Sequence, residues 1–120
     1  MMMSTKAKFH ELIEALFEMV QTYEDAPSWA LALKLTEEVG EFHETVLQDN
    51  GYLEHKPPKL DEDLFYEAAD IINVLIGFLA VRFQQFTPTE LAEMLYSAIA
   101  TKGDKYADVL RAEEIRLQRD

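Results

Sequence analysis

The sequence predicts an all-α fold, a bundle of four to five helices in a single domain covering residues 1–120. Apolar residues recur at helical spacing along most of the chain, and no stretch alternates with the period of a strand. Residues that start and stop helices fall at the breaks between the apolar segments. About half of the 120 residues are apolar (48%), which suits one core and is too short a chain for two.

In the first segment Phe9, Leu12, Ile13, Leu16, Phe17 and Val20 line one helix face. Tyr23-Glu24-Asp25-Ala26-Pro27 ends it, because proline lacks the backbone donor and restricts the residue before it, yet suits the first turn of a following helix. The second helix runs to about Asp49, where Asn50-Gly51 is a stop signal, and Lys56-Pro57-Pro58-Lys59 makes the next ten or so residues a connecting loop. Asp61-Glu62-Asp63 opens a third helix with the charge that suits its dipole, and that helix continues to about Phe83. Thr87-Pro88-Thr89-Glu90 supplies an N-cap, a proline at the first helical position and a glutamate at the third. A fourth helix follows to about Lys102, Gly103 is expected to break it, and Tyr106–Arg119 reads as a last, polar helix.

Composition removes several classes of function. With 23 acidic and 11 basic residues, a formal charge of -12, the chain is a poor surface for nucleic acid, and a polyanionic ligand would need a cation between. No cysteine is present, which excludes disulfides, thiolate metal sites and a cysteine nucleophile. The longest apolar run, Ala68–Phe83, is interrupted by Asp70, Asn73 and Arg82, and the N-terminus has no apolar signal core. A soluble cytoplasmic protein with no membrane partner is expected.

The third helix is apolar on nearly every side from Leu64 to Phe83, so it should be central. Its polar exceptions Glu67, Asp70 and Asn73 follow at intervals of three and form one stripe, continued by Gly77. Carboxylates among apolar neighbours require compensation, and two of them one turn apart repel each other. On the second helix Glu38 and Glu41 share a face, whereas Glu37 and Glu44 suit a solvated one. If the two helices are antiparallel neighbours, Glu38/Glu41 lie about 12–17 Å from the connection and Glu67/Asp70 about 9–14 Å from it, at 1.5 Å per residue. The pairs meet at one level. Four carboxylates with no evident buried arginine suit a hard cation, magnesium above all or manganese, which shares its shell readily with phosphates. A di-iron bundle needs Glu-x-x-His pairs, and none of His10, His43 or His55 completes one.

Glu37-Glu38-Val39-Gly40-Glu41 followed by Glu67-Ala68-Ala69-Asp70 resembles the EExxE and ExxD pair of the all-α nucleoside triphosphate pyrophosphohydrolases. That group includes MazG proteins, dimeric dUTPases, dCTP pyrophosphatases and phosphoribosyl-ATP pyrophosphohydrolase. Leu33-Lys34-Leu35-Thr36 and Ile71-Ile72-Asn73-Val74-Leu75 look like its MazG-like members, and the similarity runs from about Trp29 to Tyr106. The resemblance implies magnesium-dependent hydrolysis between the α- and β-phosphates, giving a nucleoside monophosphate and pyrophosphate, for cleansing of the nucleotide pool. It also implies a homodimer or homotetramer that completes the site.

Carried over by position, Glu38, Glu41, Glu67 and Asp70 are the metal ligands, and Glu37, with Glu38, is catalytic, binding a further ion or orienting the attacking water. Lys34, Lys102 and Lys105 are expected phosphate ligands, although Lys102-Gly103-Asp104-Lys105-Tyr106 departs from the arginine-rich version of MazG itself. Asn73 is placed at a sugar or a metal-bound water, and Trp29 and Tyr106 are candidates to stack on a base. Competing readings are a non-catalytic helical module that binds metal or nucleotide for regulation, and a pyrophosphohydrolase of phosphoribosyl-ATP or another non-canonical nucleotide.

Overall fold

The computed structural model describes residues 4–51 and 61–119, which form four helices and, among the described residues, no strand. They are α1 (Thr5–Tyr23), α2 (Ser28–Asp49), α3 (Asp61–Arg82) and α4 (Pro88–Arg119). The proline-containing connection between α2 and α3, expected to be a loop, lies outside the described residues.

Local sequence explains most of the boundaries. Ser4 caps α1 by accepting from the Ala7 N–H at 3.1 Å, so the helix begins ahead of the apolar face that announced it. Pro27 sits at the N-cap of α2, just before its first turn. Asn50 closes α2 through its backbone and side-chain amides, both donating to Val46 O, and Gly51 follows at φ 76°, the left-handed position that glycine takes without strain. At the start of α4 the Thr87 hydroxyl accepts from the Glu90 N–H at 3.1 Å, while Glu90 Oε1 accepts from the Thr87 N–H at 3.0 Å. This reciprocal pair is the capping box read from the sequence.

Gly103 does not break the last helix: α4 runs through it as one helix of 32 residues. A single helical glycine costs about 1 kcal/mol relative to alanine, too little to stop a segment that has Ala98, Ala100 and Lys102 before it and Lys105 and Ala107 after it. Ion pairs one turn apart, Asp108 with Arg111 at 2.7 Å and Glu113 with Arg116, support the far half. The described residues therefore form four helices.

The core is formed by α1, the second half of α3 and the first half of α4. Ile13 and Phe17 meet Ile76 and Ala80, and Leu91 and Ala92 close the third side. Half-buried Leu16, Val20, Leu79, Phe83, Phe86 and Leu95 pack around them. The Gln21 side-chain amide donates to Ala80 O and Phe86 O, tying α1 to the α3–α4 turn. Phe17 is fully enclosed at 0% exposure. Phe17→Ala is expected to lower the unfolding free energy by about 3–5 kcal/mol, read from the urea midpoint at unchanged slope. A loss below about 1 kcal/mol would place the core elsewhere.

The second helix stands apart from this core, since α2 packs on α3 and on neither α1 nor α4. Its register is antiparallel: Leu31 near the start of α2 lies over Gly77 late in α3, and Thr45 near the end of α2 reaches Glu67 early in α3. By length and composition α3 is apolar enough to cross a membrane, a test that the shared central helix of a helical domain also passes. Its centrality is incomplete, however. Its buried residues, Val74, Ile76, Gly77 and Ala80, all lie in the second half, and Phe65 (77%), Tyr66 (66%), Ile72 and Leu75 are exposed.

Candidate metal centre

Glu38 from α2 and Glu67 and Asp70 from α3 converge, each offering one carboxylate oxygen, with these atoms all within 4.8 Å of one another. The antiparallel register places Glu38 level with the Glu67–Asp70 turn, as the comparison of depths from the loop anticipates. Glu38 and Glu67 are half-buried, and Asp70 is exposed. The exposure of Asp70 corrects the expectation that both acids of α3 are enclosed. Asp70 lies on the part of α3 that α1 and α4 leave uncovered.

Two oxygens in the group are orphaned. Glu38 Oε2 and Glu67 Oε2 are buried and have no hydrogen-bond partner. Glu67 Oε1 accepts from the Thr45 hydroxyl at 3.5 Å. An unpaired buried carboxylate oxygen is costly, and here most of the charges that act on Glu38 are other carboxylates. The Glu38 carboxyl is accordingly held above the usual carboxylate range, first by partial burial and then by the charges of Glu41 and Asp70; Lys34 opposes the shift and Glu67 adds to it. A divalent cation relieves all of these penalties at once. Oxygens around octahedral magnesium are separated by about 3–4 Å, given bonds of about 2.0–2.1 Å, so small side-chain rotations bring the three carboxylates into its shell. The donor set is all oxygen and anionic, which fits magnesium or manganese.

The other residues singled out in the sequence divide in two. Glu41, exposed one turn beyond Glu38, is outside the converging group but close enough to act on the Glu38 carboxyl, and Lys34 acts on it from the preceding turn. Glu37 is exposed on the neighbouring face of α2, and Asn73 is exposed one turn past Asp70. Trp29, 67% exposed, lies nine residues before Glu38, about 13 Å along the axis. Lys102, Lys105 and Tyr106 are exposed on α4, which makes no contact with α2.

Thr45 is the member of this neighbourhood that sequence reasoning missed. Its signal was present, since it follows Glu38 by two helical turns on the same face. A lone threonine between glutamate and valine simply does not stand out. No family model, curated protein or solved structure matches the chain.

Proposed function

We propose that the chain is a magnesium-dependent nucleotide pyrophosphohydrolase of the MazG-like all-α class, acting in the cytoplasm on a nucleoside triphosphate. The observation that carries this reading is the pair of buried, unpartnered oxygens on Glu38 and Glu67 beside Asp70. They lie on two antiparallel helices, α2 and α3, and this supports the reading. Glu38, Glu67 and Asp70 would hold the ion, with Glu41 as a further ligand from the next turn and Glu37 orienting water from the neighbouring face. Bound magnesium supplies charge neutralisation for the phosphates and a water of lowered pKa. No covalent nucleophile is needed, because phosphoryl transfer is mainly positioning and electrostatics. Lys34, one turn before Glu38, is the basic residue placed to meet a phosphate within the chain.

The same reading includes a homo-oligomer. A second copy set against the exposed face of α3 would cover Phe65, Tyr66 and Ile72 and carry further groups, such as Lys102, Lys105 and Tyr106, toward a neighbouring site. Lys102, Lys105 and Tyr106 lie on α4, which makes no contact with α2, the helix of Glu38, and this favours the rival, a metal-binding helical module without turnover.

A panel of ribo- and deoxyribonucleoside triphosphates and phosphoribosyl-ATP, each with magnesium, tests the proposal. Release of pyrophosphate and a monophosphate from a triphosphate is expected, and preference for phosphoribosyl-ATP would shift the substrate within the class. Saturable metal binding with no turnover across the panel would establish the rival.

A further inference from the structure

The buried polar residues among the described chain are Thr45 and Gln48, at 4% and 7% exposure, both on α2. A helical threonine commonly turns its hydroxyl back onto the carbonyl four residues earlier, as Thr22 does to Glu18 O at 2.8 Å. Thr45 does something different. Its hydroxyl donates across the helix pair to Glu67 Oε1 at 3.5 Å. Helical side chains lean toward their own N-terminus, so in the antiparallel pair Glu67 leans toward the end of α2 where Thr45 lies. One Glu67 oxygen is thereby engaged, and the other, Oε2, is buried without a partner.

We propose that Thr45 is a positioning residue of the carboxylate centre, engaging one oxygen of Glu67 so that the other is presented to a divalent cation between Glu38, Glu67 and Asp70. The proposal rests on the metal-centre reading above. Ligating carboxylates are themselves held by hydrogen bonds, and loss of such a partner commonly costs about 10–100-fold in metal affinity. The 3.5 Å contact is long for a hydroxyl donor. Contacts of this kind tighten when the acceptor is drawn into its bound geometry. Thr45 touches neither the ion nor a substrate; it acts through Glu67.

Calorimetric titration of the full-length chain with Mn²⁺ tests this in the wild type, Thr45→Val and Thr45→Ser, with the thermal midpoint of each measured in chelator. Thr45→Val keeps the shape and loses the hydroxyl, and its Mn²⁺ affinity is expected to fall about 10–100-fold. Thr45→Ser keeps the hydroxyl and loses a buried methyl, so it should lose thermal stability while binding Mn²⁺ close to the wild type. A purely packing role predicts the reverse ordering. Wild-type affinity in Thr45→Val, or affinity in Thr45→Ser that falls along with its stability, would overturn the proposal while leaving the metal centre standing. Absence of saturable Mn²⁺ binding in the wild type itself would overturn the metal centre and the role of Thr45 with it.

Discussion

Asp70→Asn is expected to reduce magnesium-dependent kcat/KM by about a thousandfold or more, with helicity and thermal midpoint close to wild type. The side chain is exposed and, among the described residues, has no hydrogen bond or ion pair, so the amide removes a charge without opening a cavity. What disappears is one of the anionic oxygens that would share an ion, and metal-based charge stabilisation contributes several kcal/mol to a phosphoryl-transfer barrier. Each 1.36 kcal/mol is a factor of ten. Glu38→Gln should have the same consequence. The measurement is pyrophosphate release at saturating magnesium beside circular dichroism of the same samples. Activity within about tenfold of wild type in either variant would remove that residue from the metal centre.

The second expected effect is a pH dependence of stability that metal reverses. In the metal-free protein the folded Glu38 carboxyl sits above the ordinary glutamate value, through partial burial first and then Glu41 and Asp70. The folded state therefore binds this proton more tightly than the unfolded chain does. Its contribution favours folding below the unfolded value and is lost as pH rises through the higher folded value. Metal requires the ionised carboxylate, so stabilisation by Mn²⁺ should grow as pH rises through the same window. At a concentration about a hundred times the dissociation constant it reaches about 2.7 kcal/mol. The thermal midpoint in Mn²⁺ minus that in chelator should climb with pH in the wild type and lose this climb in Glu38→Gln. A difference that is flat with pH in the wild type, or unchanged in the variant, would detach Glu38 from both the proton and the metal.

The sequence by itself determined the helices and most of their ends, because the signals involved are local. Thr87 and Glu90 cap one another from three residues apart, Asn50 and Gly51 close α2 where they stand, and the 3.6-residue period of Ile13, Leu16, Phe17 and Val20 needs no partner to be recognised. It misjudged Gly103, whose local penalty is outweighed by the helix formers around it. It also placed Glu38 level with Glu67 and Asp70, since depth along two antiparallel helices joined by one connection follows from counting residues.

Tertiary structure alone decided how these elements share surface. Periodicity records that α3 is apolar all round but not which sides one chain can cover, so the exposure of Asp70, Phe65 and Tyr66 depended on α2 standing away from α1 and α4. The same packing put Lys102, Lys105 and Tyr106 on a helix that does not touch α2, and set the Thr45 hydroxyl against Glu67. Caps and periods act over a few residues of one helix. Burial and the convergence of charges depend on which helix faces meet, and those contacts join residues far apart in the chain.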